Sequence, residues 1–350
     1  MQTDPLSFQP LPTLAKGDRV AIVSPSMAAP ARWPAVFELG LNRLSEHLGL
    51  EPVEYPTTRR LGATAAERAN DLIAAFADDS IKAVFASLGG DDQITYVKHL
   101  PVDPFRRNPK PFFGFSDNTH FANHLWHCRV PSFYGGHIIA QFGMHGEMDK
   151  FTLDYLTTAL FHRGECALQP SEEFNDIGLT WNDPSLLATR RAYEPNDGWY
   201  WDGEGAASGI SWGGCLESVD ELMRHGQRLP SLEEFASIVL VTETSEDLPP
   251  APVVHRVYRA LGERGILAQV RAVVVGRPKA WEFDNQRDAD ARRAYRAEQR
   301  RTTLHTIRQY NPTVPVVQNV DFGHTDPQIC LPYGGLIRLD PAQRQLWARF

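Results

Sequence analysis

The sequence predicts an α/β fold, with an N-terminal domain built on a parallel sheet and a C-terminal domain of mixed strands and helices. Short apolar runs rich in β-branched residues alternate with amphipathic stretches, as a parallel sheet wrapped by helices requires. Glycine or small polar residues follow several of these runs, at the strand ends where such sheets gather ligands. At 350 residues the chain is longer than one small core organises, which points to two domains. The expected divisions are 1–165 for the N-terminal domain, 166–208 for a tryptophan-rich connecting or substrate loop, and 209–350 for the C-terminal domain.

In chain order, Arg19-Val20-Ala21-Ile22-Val23 reads as a buried strand and Pro34 to Leu48 as a helix opened by proline. Pro52 to Tyr55 is a second strand. Thr64-Ala65-Ala66-Glu67 is a capping box starting a helix that runs to Phe76. Ala83 to Ser87 forms a strand leading into Gly89-Gly90. Phe112 to Phe115 forms the next strand and turns into a helix. From Cys166 to Ser208 periodicity fades into polar, Trp-, Asn-, Asp- and Pro-rich sequence, a long structureless loop of the kind that usually carries function. Beyond it lie Gly213-Gly214 with a helix to His225, a strand Ile238 to Val241, a helix through Arg264 and a strand Ala272 to Val275. A long charged helix over 288–309 precedes Pro315-Val316-Val317.

Composition excludes several functions. A net charge of −8 disfavours a nucleic-acid binder, which needs a basic face against phosphate. No run of about 18 apolar residues exists to span a membrane. Met1-Gln2-Thr3-Asp4-Pro5 has neither the basic start nor the apolar core of a secretory signal, so a cytoplasmic location is expected. Cys128, Cys166, Cys215 and Cys330 are scattered, which suits reduced thiols. His120 and His124 share a helical face, but with no third ligand nearby they read as helix-surface or supporting groups. Neither metal nor organic cofactor is expected.

Gly114-Phe115-Ser116-Asp117-Asn118-Thr119 carries the chemistry. An apolar strand turning sharply into a helix can hold a serine hydroxyl at the apex, beside backbone N–H groups able to receive an oxyanion. The same residue types also make ordinary helix caps. A nucleophilic serine needs a base, and the base an orienting acid. His324 follows an apolar strand and a glycine, in a polar loop where it either serves as that base or bonds within the loop. Glu243 ends an apolar strand, where it either orients the imidazole or belongs with Thr244 to Asp247 in a capping cluster. The N–H groups of Asp117 and of Gly89 or Gly90 are the candidate oxyanion donors. The acids Asp91 and Asp92 speak against a phosphate cradle at the glycine pair.

With Gly213-Gly214-Cys215-Leu216-Glu217, Glu243-Thr244-Ser245-Glu246 and Asp321-Phe322-Gly323-His324-Thr325-Asp326-Pro327 added in order, the chain resembles the LD-carboxypeptidase family of serine peptidases from about Gly17 to Gly334. It looks most like the branch containing the microcin C immunity peptidase. The resemblance implies a Ser116–Glu243–His324 triad, an oxyanion hole from Asp117 and Gly89 or Gly90, an active site between the two domains, and a homodimer. It further implies hydrolysis of a C-terminal amide in a small peptide or a peptidyl or aminoacyl nucleotide. The alternatives are release of D-alanine from a murein tetrapeptide, or binding of a peptide-nucleotide without cleavage. Trp181 stands where that branch stacks a tryptophan on the nucleobase, and Trp199 is a second candidate; packing of the loop explains either one equally well. Cys215 and Glu217 are candidate substrate contacts, Cys215 replacing the asparagine of many relatives. Asp91-Asp92 replaces the Tyr-Gly of the murein-cleaving enzymes.

Overall fold

A computed structural model of the protein describes residues 6–226 and 228–350; the N-terminal stretch read for a secretory signal lies outside them. Two sheets organise these residues. The six-stranded sheet has the order Leu331–Tyr333, Ser132–Tyr134, Phe112–Gly114, Ile81–Ala86, Arg19–Val23, Glu51–Glu54. Its five N-terminal strands are parallel, while Leu331–Tyr333 returns from near the end of the chain to pair antiparallel with Ser132–Tyr134.

The eight-stranded sheet runs Glu165–Leu168, Gln345–Arg349, Leu336–Asp340, Ala207–Cys215, Ile238–Glu243, Ala272–Gly276, Val316–Val320, Tyr200–Asp202. The four strands from Ala207–Cys215 through Val316–Val320 are parallel and the flanking ones antiparallel. Ile238–Glu243 is buried at every position, as expected of a parallel strand covered on both faces.

Local signals act as the sequence suggests. Pro34 starts the helix Pro34–Leu48, and Gly49 ends it in the left-handed conformation. Thr64 and Glu67 close the capping box of Ala65–Ala77. The Asp288 carboxylate caps Ala289–Tyr310 by accepting the Ala291 N–H at 2.8 Å.

Two expectations need correction. The 166–208 stretch is not structureless: Glu165–Leu168 and Tyr200–Asp202 form the two edges of the large sheet, and Glu173–Phe174 pairs with Glu194–Pro195. Strands of two to four residues are too short to show a period of two. Thr244 to Asp247 cap no helix either, because the next one, Ala251–Glu263, starts behind Pro250 with no side-chain cap.

The sheets meet through the helix Thr119–His127, which packs on the strand Ala207–Cys215. Fully buried Trp212 donates its indole N–H to Asn123 at 2.8 Å, and Thr119 Oγ1 accepts the Cys215 N–H at 3.1 Å. That packing brings the C-terminal ends of both parallel sheets together. Cys215 and Glu243 are register partners at one such end, and Ser116 stands at the other.

Candidate active site

Phe112–Gly114 ends and Ser116 opens the next turn with φ of 61°. A side chain in this left-handed region costs about 1–2 kcal/mol, and the surrounding bonds must hold it there. The Ser116 N–H donates to the Tyr134 hydroxyl at 3.2 Å. Asn118 donates its amide to the Leu88 carbonyl at 3.2 Å and to His137 Nε2 at 2.9 Å; that nitrogen also accepts the Phe115 N–H at 3.0 Å. Burial, helped by the charge on His324, pushes His137 down to about 3, so the ring is neutral and can accept.

No side-chain cap forms at this helix start. The Asp117 carboxylate, expected to cap its own helix, instead accepts the Gln93 N–H at 3.2 Å and lies 3.6 Å from His120. The Asp117 N–H is one of those a helix start leaves without an intrahelical partner.

Glu243 is fully buried at the end of its strand and divides its carboxylate between two partners. Tyr134 donates to Oε1 at 2.5 Å, and His324 Nδ1 lies 2.7 Å from Oε2. Gly323, at φ of 103°, lies where any Cβ would collide with this carboxylate. On its other side the imidazole places Nε2 3.0 Å from Glu246 Oε2. Burial disfavours the charged ring, but the two carboxylates prevail and hold His324 up at about 10. Among the described residues, Ser116 Oγ makes no hydrogen bond to His324.

Ser116 stands at the junction of two cavities, and Gly90 and Glu246 line both as well. The first, about 400 Å³, holds Gly89, His324, Trp33 and Trp181, with the two indoles edge to face at 4.8 Å. The second, about 730 Å³, holds Asp117, Cys215 and Glu217. Cys215 Sγ lies 3.2 Å from Glu217, which also accepts the Ser245 hydroxyl at 2.8 Å. A Cβ on Gly90 would strike the Ser26 hydroxyl, so only glycine lets the backbone approach this closely.

Trp199 lines neither cavity; its indole N–H donates at 2.8 Å to Asp321, which is buried and paired with Arg277. His120 and His124 are buried, not on the helix surface. His120 bonds Glu221 at 3.1 Å, and His124 faces Arg228 and the Pro101 carbonyl. Sequence reasoning missed Tyr134, His137 and Trp33, and it had Asn118 only as a member of the serine turn. Only Asn118 had a local signal, standing two residues after the serine, and the others come from segments with no motif.

Residues 20–135 match the LD-carboxypeptidase N-terminal domain, and residues 208–339 match the LD-carboxypeptidase C-terminal domain. The chain belongs to the LD-carboxypeptidase family. This family member is a serine peptidase, and the relatives agree. A Treponema pallidum (strain Nichols) protein, provisionally named a carboxypeptidase, is 29% identical over 340 residues, covering 93% of this chain and 91% of its own. The Microcin C7 self-immunity protein MccF of Escherichia coli is 23% identical over 347 residues, covering 97% and 94%. Among solved structures, an MccF-like protein from Streptococcus pneumoniae in complex with AMP superposes with a TM-score of 0.82 at 25% identity, covering 95% of this chain and 98% of that one. MccF in complex with glutamyl sulfamoyl guanosine gives 0.84 at 21% identity, with 99% of each chain covered, which establishes the shared fold. Among the described residues, no helix is long and apolar enough to cross a membrane.

Proposed function

We propose that this peptidase hydrolyses the amide between a small acyl residue or peptide and a nucleotide-like leaving group, with Ser116, Glu243 and His324 as its triad. The observation that carries the reading is Ser116, strained at φ of 61°, at the junction of two cavities beside an imidazole held 2.7 Å from a buried carboxylate. The Ser116 oxygen attacks the scissile carbonyl carbon while its proton passes to His324 Nε2. The oxyanion is received by the N–H of Asp117 with that of Gly90 or Gly89, each such donor contributing about 10²–10³ in rate. Collapse expels the leaving nitrogen, which takes the proton from Nε2, and water then cleaves the acyl-enzyme. Glu243 holds the ring orientation and offsets its positive charge.

An amide has two sides, and so does this serine. The aromatic cavity with Trp33 and Trp181 suits a nucleobase, and the two ligands named above, AMP and glutamyl sulfamoyl guanosine, each carry one in their complexes with the related proteins. The second cavity then receives the acyl residue.

The test compares an aminoacyl sulfamoyl adenosine with a murein tetrapeptide. The nucleotide is expected to be the preferred substrate. Ser116→Ala should cut turnover at least about a thousandfold without altering the melting temperature. Trp181→Ala should raise KM about tenfold with kcat little changed, the loss expected of one stacked base. Preference for the tetrapeptide would replace this reading with murein recycling; binding without any turnover would replace it with sequestration.

A further inference from the structure

The two oxyanion donors of the proposed mechanism come from separate segments. The Asp117 N–H belongs to the turn after Phe112–Gly114, and the glycine N–H belongs to the loop that follows Ile81–Ala86. A Cβ on Gly89 would lie 3.3 Å from Ser116 Oγ and 3.5 Å from the Asp117 nitrogen, so this loop runs directly against the nucleophile. Two glycines in succession give it little stiffness of its own. Stabilising an oxyanion requires donors that are fixed before the charge develops, so groups outside the glycines must hold the loop.

Both ends of the loop are tied to the two residues that follow Ser116. At its start, the Leu88 carbonyl accepts the Asn118 amide at 3.2 Å. At its end, the Gln93 N–H donates to Asp117 Oδ2 at 3.2 Å, and Gln93 Nε2 donates to Asn118 Oδ1 at 2.7 Å. Chemistry fixes the direction of the last bond. Asn118 Nδ2 also faces the Phe115 carbonyl at 3.1 Å, and carbonyls only accept, so the Asn118 oxygen is the atom left for Gln93. Gln93 is fully buried, and its own Oε1 has no hydrogen-bond partner among the described residues. An unpaired buried oxygen is destabilising, so this amide is not there for stability alone.

We propose that Gln93 is a positioning residue for the hydrolysis. Its side chain locks the Gly89-Gly90 loop to the turn that carries Ser116, and so sets the spacing of the two oxyanion donors. It lines neither cavity and acts only through Asn118. Without that bond the loop keeps its longer ties at 3.2 Å, and the glycine N–H loses its fixed distance from that of Asp117. This rests on the hydrolytic reading of Ser116 and adds to it the residue that keeps the two halves of the hole in register.

Gln93→Met keeps the length of the side chain but has no N–H to donate. It removes the unpaired Oε1 and leaves Asn118 Oδ1 unpaired instead, so the melting temperature should stay within about 3 °C of the parent. On whichever substrate the unmutated enzyme turns over, kcat should fall about ten- to a hundredfold, with KM changed less than about twofold. Affinity for the phosphonamidate analogue of that substrate, whose tetrahedral phosphorus carries an oxygen in the oxyanion position, should fall by the same factor as kcat/KM. Gln93→Asn, an amide one methylene too short for Asn118, should show the same split and serves as the test if Gln93→Met folds poorly. An unchanged kcat in a folded variant, a loss that falls on KM, or an unchanged affinity for the phosphonamidate overturns the proposal. An unmutated enzyme that hydrolyses neither the aminoacyl sulfamoyl adenosine nor the murein tetrapeptide overturns the hydrolytic reading itself, an outcome read before any variant is made.

Discussion

Tyr134 donates its hydroxyl to Glu243 at 2.5 Å while accepting the backbone N–H of Ser116 at 3.2 Å. One phenol thus ties the strained serine turn of the first sheet to the carboxylate that holds His324 on the second. Burial, reinforced by Glu243, pushes the phenol far above its ordinary range, so it remains a donor at any working pH.

Tyr134→Phe leaves one Glu243 oxygen unpaired in a fully buried site. Urea denaturation should show a loss of about 1–3 kcal/mol. The serine turn loses its anchor too, so kcat should fall more than KM changes. A variant matching the parent in both stability and kcat would show the link to be idle.

Ser116 holds a conformation that glycine adopts freely. Ser116→Gly should therefore abolish turnover yet unfold at higher denaturant than Ser116→Ala, by about 1 kcal/mol. Equal stability of the two variants would mean that the turn stores no strain.

Folding raises His324 from its ordinary 6.5 to about 10: burial opposes the charge, and Glu243 and Glu246 outweigh burial. The folded state therefore holds a proton more tightly than the unfolded chain does. The stability this contributes is complete below about pH 6.5 and is lost as pH rises through about 10. Comparing the protein with His324→Gln by urea denaturation at several pH values isolates the effect. The stability gap between the two should narrow across that window, and a constant gap would contradict the assignment.

Much of the fold was legible because its signals are local. Pro34, the Thr64–Glu67 box, Asp288 and the apolar strand Ile238–Glu243 act within a few residues of themselves. The short edge strands Glu165–Leu168 and Tyr200–Asp202 were not, since pairing with distant strands defines them. Within the candidate site, Ser116, Glu243 and His324 stand out as polar residues at strand ends. Tyr134 and Trp33 look like core aromatics until the tertiary structure supplies their partners. Trp181 and Trp199 were equivalent in sequence; a cavity claims the first and the Asp321 carboxylate the second.

By itself the sequence determined the alternation of strands and helices, the serine turn and the family, because backbone preference and motif spacing are properties of neighbouring residues. Only the tertiary structure decided that Tyr134 joins Ser116 to Glu243, that Glu246 rather than Ser116 faces His324 Nε2, and that acids crowd one cavity while indoles line the other. Those relations join side chains far apart in the sequence, Tyr134 and Glu243 by 109 positions, and the packing of two sheets through one helix brings them together.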